Sequence, residues 1–280
     1  MTILSPSPVQ TRPARPLAGT SAIVLGASSG MGRAVALRLA RDGATVIGVH
    51  FDTASRDDEV AALAEELSSH GTSHLINANA ASPRTRAEVI DLARSLDVGT
   101  GPTVLLHSLA FGTLLPFVPD RTADDEPADV LAPKQMTMTL EVMAHSLVWW
   151  VQDLLTAGLL PAGSHVLAMT SAGDSRVTSS YGAVSAAKSA LLSHVRQLAV
   201  ELAPRGVAVN ALRAGVTRTP ALERIPEADR LLALAREGNP HGRLTTPEDV
   251  ADVVALLATS RSSWVTGNVI GVDGGEGLTT

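Results

Sequence analysis

Short runs of aliphatic and β-branched residues alternate along this chain with longer stretches of helical periodicity. The runs at 22–25, 45–49, 74–77, 104–107, 165–169, 207–212 and 269–272 predict strands. Between them, the spacing of apolar positions predicts helices near 31–42, 57–69, 84–95, 136–157, 179–203 and 247–258. Alternation with connections of this length implies right-handed crossovers, and hence one parallel sheet covered on both faces. The expected fold class is α/β, a single doubly wound parallel sheet of about seven strands with helices on both sides.

Two stretches break the alternation. Prolines and acidic residues collect at 116–134, and 217–243 is long for a connection; both read as insertions on the scaffold. Ligands of doubly wound sheets sit outside the carboxyl ends of the strands, so both insertions are placed to cover a substrate. The first 17 residues are rich in Pro, Ser and Thr, contain Arg12 and Arg15 and lack an apolar core. They read as a flexible extension and not as a secretory signal, which leaves 18–280 as one domain. Thr246, Pro247, Glu248 and Asp249 read as a helix start: a capping hydroxyl, a proline at the first helical position and carboxylates near the positive end. Trp149 and Trp150 are adjacent, so on a helix they point about 100° apart. One is expected in the core, the other at its edge or at an oligomer interface.

Composition narrows the function classes. Hydrophobic residues make up 45% of the 280 and charged residues 18%, enough for a substantial core. The formal net charge of −6 argues against a non-specific nucleic-acid binder. With no cysteine there is no disulfide, thiol catalysis or thiolate metal site, and a reducing compartment suits the chain. No apolar stretch approaches the roughly 18 residues of a membrane span. A soluble cytoplasmic protein is expected, with no metal site and no nucleic-acid or membrane partner.

Two motifs carry chemistry. Gly26, Ala27, Ser28, Ser29, Gly30, Met31 and Gly32 follow an apolar run and precede a helical stretch. Strand, glycine turn and helix N-terminus together form an anion site, because backbone N–H groups and the helix dipole point at a phosphate that missing side chains admit. The glycine spacing differs from the Gly-x-Gly-x-x-Gly fingerprint, so the strand-turn-helix context carries the assignment. Tyr181, the only tyrosine, precedes Lys188 by seven residues. Seven helical steps return to nearly the same face, roughly 10.5 Å along. A phenol and an ammonium would then enter one cleft as proton donor and cofactor-holding cation. Alone, the pair also fits a partly buried tyrosine and a solvated lysine.

Taken together these segments resemble the short-chain dehydrogenase/reductase superfamily, a Rossmann-type fold, from about residue 18 to the C-terminus. The resemblance is carried by the glycine turn at 26–32, by Tyr181 and Lys188, by Val209 to Gly215, and by Val272, Asp273, Gly274 and Gly275. Within it the chain is similar to the enoyl-acyl-carrier-protein reductase branch. The commoner branch places lysine four residues after tyrosine, where this chain has Ser185. Leu106, His107, Ser108, Leu109, Ala110 and Phe111 are similar to the enoyl reductases, as are Ala214 and Gly215 where the commoner branch has Pro-Gly. Ser171, after Thr170, stands where many enoyl reductases carry another tyrosine. It either orients a substrate carbonyl, as the serine of carbonyl-reducing members does, or bonds to the loop. His145, on the stretch where carbonyl reducers carry an asparagine, is not assigned a role.

The resemblance implies hydride transfer to the β-carbon of a 2-enoyl thioester, as in fatty acid biosynthesis, with Tyr181, Lys188 and Ser171 as catalytic residues. Tyr181 would donate to the enolate oxygen and Lys188 would hold the nicotinamide ribose. It further implies cofactor contacts from Gly26, Ser28, Ser29, Gly30, Met31 and Gly32, from Asn79 and Ala80 at the adenine, and from Ser108, Leu109 and Ala110 near the ribose. Gly215, Thr217 and Thr219 would lie near the amide or pyrophosphate. At the end of the second strand, His50 takes the place of the carboxylate expected for strict NAD use, and Asp52 follows two residues later. His50, Ser55 and Arg56 are suited to a 2′-phosphate, so NADPH is expected, with NADH as the alternative. The expected substrate is a small-molecule or carrier-bound acyl compound, with residues 217–243 as a lid over it. The expected assembly is a homotetramer using helices 136–157 and 179–203. Two other functions stay open: a carbonyl reductase or alcohol dehydrogenase in which Ser171 and Tyr181 share the substrate oxygen, and a non-catalytic nucleotide-binding regulator. Retention of both Tyr181 and Lys188 speaks against the regulator.

Overall fold

Seven strands form one sheet in the order β3-β2-β1-β4-β5-β6-β7, with every neighbouring pair parallel. The structure is a computed structural model and describes residues 15–96, 101, 103–119, 129–225 and 228–279. The strands are β1 (Ser21–Leu25), β2 (Thr45–His50), β3 (Ser73–Asn77), β4 (Thr103–His107), β5 (His165–Ser171), β6 (Ala208–Ala214) and β7 (Val269–Val272). The helices are α1 (Gly30–Arg41), α2 (Asp57–His70), α3 (Pro83–Ser95), α4 (Pro133–Leu140), α5 (Ser146–Thr156), α6 (Gly182–Leu202), α7 (Ala228–Gly238), α8 (Pro247–Thr259) and the short α9 (Glu276–Thr279). The doubly wound architecture expected from the sequence is present. Most of the flexible-extension assignment, residues 1–14, lies outside the described residues, as do 120–128 of the first insertion and 226–227 of the second.

Strand alternation sends side chains to two separate cores. Ile23, Leu25, Leu105, Val166 and Val209 pack with α3 to α6 on one face. Ala22, Val24, Leu106, Leu167 and Leu212 pack with α1, α2 and α8 on the other. The direction of winding reverses between β1 and β4, and this opens the crevice outside the strand ends where such sheets bind ligands.

Several local features differ from the periodicity. The predicted helix at 136–157 is two helices joined by one turn of π-helix, Glu141–His145. Past it Trp150 is fully buried and donates from Nε1 to the Ala80 carbonyl at 2.8 Å, while Trp149 is over a third exposed and donates to Glu141. β5 extends to Ser171 and β6 to Ala214, two residues beyond their apolar runs, because polar and small side chains complete the pairing there. Tyr181 caps α6 and is not inside it. The 217–243 insertion contains α7, whose Leu232 and Ala235 are buried while Leu234 is exposed. Thr246 caps α8 reciprocally with Asp249, as its sequence indicated.

Candidate active site

The glycine turn joins β1 to α1 beside the end of β4. Gly26 has φ +89° and donates to the Val49 carbonyl, and a methyl group there would overlap the Ser108 carbonyl oxygen. A methyl group on Gly32 would overlap the Gly26 carbonyl. Turn, helix start and β4 therefore approach as closely as backbones allow, and only glycine fits. Gly30, at φ +51°, begins α1 with Ser29 as its cap and Met31 following. Thr219 methyl carbon lies 3.3 Å from where a Gly30 side chain would begin, which places Thr219 at the phosphate end of the crevice. Thr217 is different: it is buried and its hydroxyl donates to the Gly215 carbonyl at 2.9 Å, so it shapes the turn after β6. The buried Glu276 carboxylate supports the same turn by accepting from the Val216 N–H at 3.1 Å.

At the outer end of the crevice, Asp52 is the centre of a cluster. Its carboxylate bonds to His50 Nδ1 at 2.8 Å and to Arg56 at 2.7 Å, and it accepts from the Ser28 side chain of the glycine turn. Burial opposes its ionisation, but the Ser28 and His50 bonds and the Arg56 charge outweigh it and hold the carboxyl below its ordinary value. Arg56 is shared with Glu59. Asn77 anchors the Asp52 backbone through both its amide atoms. Phe51, beside it, is 72% exposed and presents a bare aromatic face; nothing in the sequence reading marked it. Asn79 is exposed in the next loop, with its side-chain oxygen accepting from the Ala81 N–H, and Ala80 is buried beneath it.

At the inner end, Ser171 closes β5 and hydrogen-bonds to the Tyr181 phenol. Burial raises the phenol above its ordinary value, against the Ser171 bond. The Tyr181 ring lies over Gly173, where a side chain would begin 2.5 Å from Cε1. Lys188, two turns into α6, is buried and donates to the Met169 carbonyl at 2.7 Å. Burial pulls its ammonium down to about 8, with the charge of Asp174 opposing. Asp174 is itself paired with Arg213. The structure thus brings Ser171, Tyr181 and Lys188 together, with Ser108, Leu109 and Ala110 leaving the end of β4 beside them.

Sequence reasoning passed over His107 as a structural group. The single hydroxyl hydrogen of Ser146 goes to the Val142 carbonyl, so toward His107 Nε2, 2.8 Å away, Ser146 accepts. Nε2 is then the protonated nitrogen, and Nδ1 has no partner among the described residues. Burial, with the Lys188 charge, lowers the imidazole to about 3 and keeps it neutral. Val142 belongs to the π-turn, which seats Ser146 under the end of β4. Elsewhere, a cavity of about 400 Å³ lined by Asn239, His241, Arg243 and Asp273 among others opens beside the C-terminal turn, and it contains none of these groups.

A glycine-lined crevice on a doubly wound sheet, with a half-buried tyrosine and a buried lysine at its inner end, fits a class of dinucleotide-dependent oxidoreductase. Residues 26–276 match the family model described as enoyl-(acyl carrier protein) reductase, and the chain belongs to this family of the short-chain dehydrogenase/reductases. It is an NAD(P)-dependent oxidoreductase. It is 29% identical over 260 residues to a 3-oxoacyl-[acyl-carrier-protein] reductase of Vibrio harveyi, covering 92% of this chain and 98% of that one. It is 28% identical over 260 residues to a 1-cyclohexenylcarbonyl-CoA reductase of Streptomyces collinus, covering 90% and 85%. A short-chain dehydrogenase of Burkholderia cenocepacia, solved in complex with NADP, superposes with a TM-score of 0.74 at 25% identity, covering 94% of this chain and 99% of that one.

The crevice fits a dinucleotide: its glycine cradle would be filled by any side chain, and a buried cation stands at its inner end. Lys188 is charged below about pH 8, and an ammonium would hold ribose hydroxyls more strongly than the neutral amine. Dinucleotide affinity, followed by calorimetry, should be constant below that pH and fall above it, approaching about tenfold per pH unit. Lys188→Met should bind more weakly and show no such pH dependence.

Proposed function

We propose that the chain reduces the carbon–carbon double bond of a small or carrier-bound 2-enoyl thioester at the expense of NADH. The arrangement that carries this is the half-buried phenol of Tyr181, hydrogen-bonded to Ser171, with the Lys188 ammonium buried two turns further along α6. Bound in the crevice, a reduced nicotinamide supplies a hydride. Tyr181 keeps its proton on the phenol oxygen and donates it as a hydrogen bond to the thioester oxygen where negative charge develops, a donor already oriented in the site; the α-carbon takes its proton from solvent as the enolate collapses to the saturated thioester. Lys188 orients the ribose and keeps the local field positive. Ser171 holds the phenol's direction. Residues 217–243 cover the acyl group, an assignment supported by the position of Thr219 against Gly30 and by the buried face of α7.

The family description, the seven-residue spacing from Tyr181 to Lys188 and the cyclohexenyl thioester reductase among the relatives support enoyl reduction. The Ser171–Tyr181 bond and the 3-oxoacyl reductase favour a second reading, reduction of a ketone. For the cofactor, the ionised Asp52 carboxylate fills the space between His50, Arg56 and Ser28 where a 2′-phosphate would have to enter. It is suited to accept from ribose hydroxyls, and Phe51 is suited to stack on the adenine. This reverses the preference for NADPH that His50, Ser55 and Arg56 gave in the sequence alone. Exposed Met138 and Trp149 on α4 and α5 and Val200 on α6 support a homotetramer assembled through these helices.

Crotonyl and acetoacetyl thioesters offered separately distinguish the two substrate readings, and faster dinucleotide oxidation with the second would replace the first. With the better substrate, Tyr181→Phe should lower kcat by about 10²–10³-fold, the effect of losing one oriented donor, and leave dinucleotide affinity nearly unchanged. Asp52→Ala should move the preference toward NADPH by about tenfold, equivalent to roughly 1.4 kcal/mol of relieved repulsion; a wild type that already prefers NADPH refutes the cofactor assignment. Sedimentation of a stable monomer at micromolar concentration would exclude the tetramer.

A further inference from the structure

Asp174 lies in the turn between Ser171 and Tyr181, and its side chain is 1% exposed. Three elements hold it. From β6, Arg213 donates through Nη2 to both carboxylate oxygens, at 3.0 and 2.9 Å, and through Nε at 3.2 Å. From β5, the Thr170 hydroxyl donates to Oδ2 at 3.0 Å. From α6, the Ser189 hydroxyl donates to the Asp174 carbonyl at 3.1 Å. Thr170 and Arg213 are register partners on neighbouring strands, so the clamp is built into the β5–β6 pairing. A two-pronged guanidinium bond fixes the carboxylate in plane as well as in distance.

We propose that Asp174, clamped by Arg213, is a positioning residue for Tyr181: it pins the turn whose Ser171 sets the phenol's hydrogen bond and whose Gly173 is the floor under its ring. The role rests on Tyr181 being the group that meets the substrate oxygen. Within the turn, the Ser175 and Arg176 N–H groups donate to the Ala172 carbonyl at 3.1 and 2.8 Å. Beyond the short 3₁₀ segment at Ala172–Asp174 it is irregular up to Tyr181, and Ser180 is a non-glycine residue at φ +57°. The Ser171 bond and the Gly173 floor are each within three residues of Asp174, so displacement of its carboxylate moves both. The charged and titratable groups on the elements packed here include Lys188 on α6, Arg213 on β6, Asp174 and Arg176 on the turn, His107 at the end of β4 beside Lys188, and Glu276 near Arg176.

A mere charge and a positioning role predict opposite signs. Removing a negative charge alone makes the phenol easier to ionise, whereas loosening the Ser171 bond makes it harder. Tyr181 is the only tyrosine in the chain, so meta-fluorotyrosine incorporated into the full-length protein reports this phenol alone by fluorine NMR. Asp174→Ala is expected to raise the phenol's titration midpoint, in the direction that Ser171→Ala does. A lower or unmoved midpoint overturns the proposal. Arg213→Lys keeps the charge balance but loses the fork, and should shift the midpoint the same way by less; if Asp174→Ala does not fold, an unmoved midpoint in Arg213→Lys overturns the proposal by itself. In turnover, measured at a pH low enough to keep Lys188 charged without the Asp174 carboxylate, Asp174→Ala should lower kcat by about a hundredfold, as a slight misplacement of a reacting group does. A wild type that reduces neither thioester refutes the substrate assignment, while the phenol titration still decides the role of Asp174.

Discussion

Lys188 is a cation with almost no water around it, and much of the site's construction answers to that condition. An ammonium removed from solvent costs several kcal/mol unless neighbouring groups compensate. The Met169 carbonyl supplies a hydrogen bond and the Asp174 carboxylate supplies opposite charge. A buried carboxylate raises the same difficulty in turn, and Arg213, whose guanidinium reaches partial exposure, meets it from β6. Positive, negative and positive groups thus run outward from the cleft. The innermost charge is tolerated because the outermost is solvated. His107, packed near the ammonium, stays neutral and adds no further charge.

The sheet provides the geometry in which this chain of charges can exist. β5 and β6 both extend past their apolar runs, so that Thr170 and Arg213 face each other beyond the packed core and still within the hydrogen-bonded ladder. At the opposite end of the crevice the same economy holds: Ser28 belongs to the turn that cradles phosphate, and its side chain also bonds to Asp52 at the end of β2. Two neighbouring strand ends are thereby tied through one carboxylate.

Much of this was legible in the chain because it is local. The glycine turn and the cap at Thr246 depend on residues within a few positions of one another, and each lies where its spacing places it; Tyr181 instead precedes the first turn of α6, with Lys188 inside the helix. The parallel sheet with helices on both faces followed from alternation alone; the order of its strands did not. What escaped depends on register between distant strands. Arg213 reads as one more polar residue until β6 is set beside β5, and Asp174 reads as a loop aspartate. Gly173 carries no signal of its own; its meaning is the ring above it. Asp52 was visible, but its proximity to Ser28 was not, and that contact changes the meaning of His50 and Arg56.

The π-turn at Glu141–His145 has a consequence for which changes of length the gene can accept. One turn holding an additional residue is a stored insertion, and removing any one residue from it would return the segment to ordinary α-helix. Register on both sides would be kept, and Ser146 and Trp150 would still face His107 and the Ala80 carbonyl. A residue lost from the regular helix on either side has no such reserve, and everything beyond it would rotate by about 100°. A single codon lost within Glu141–His145 should therefore be far less damaging than one lost from α4 or α5.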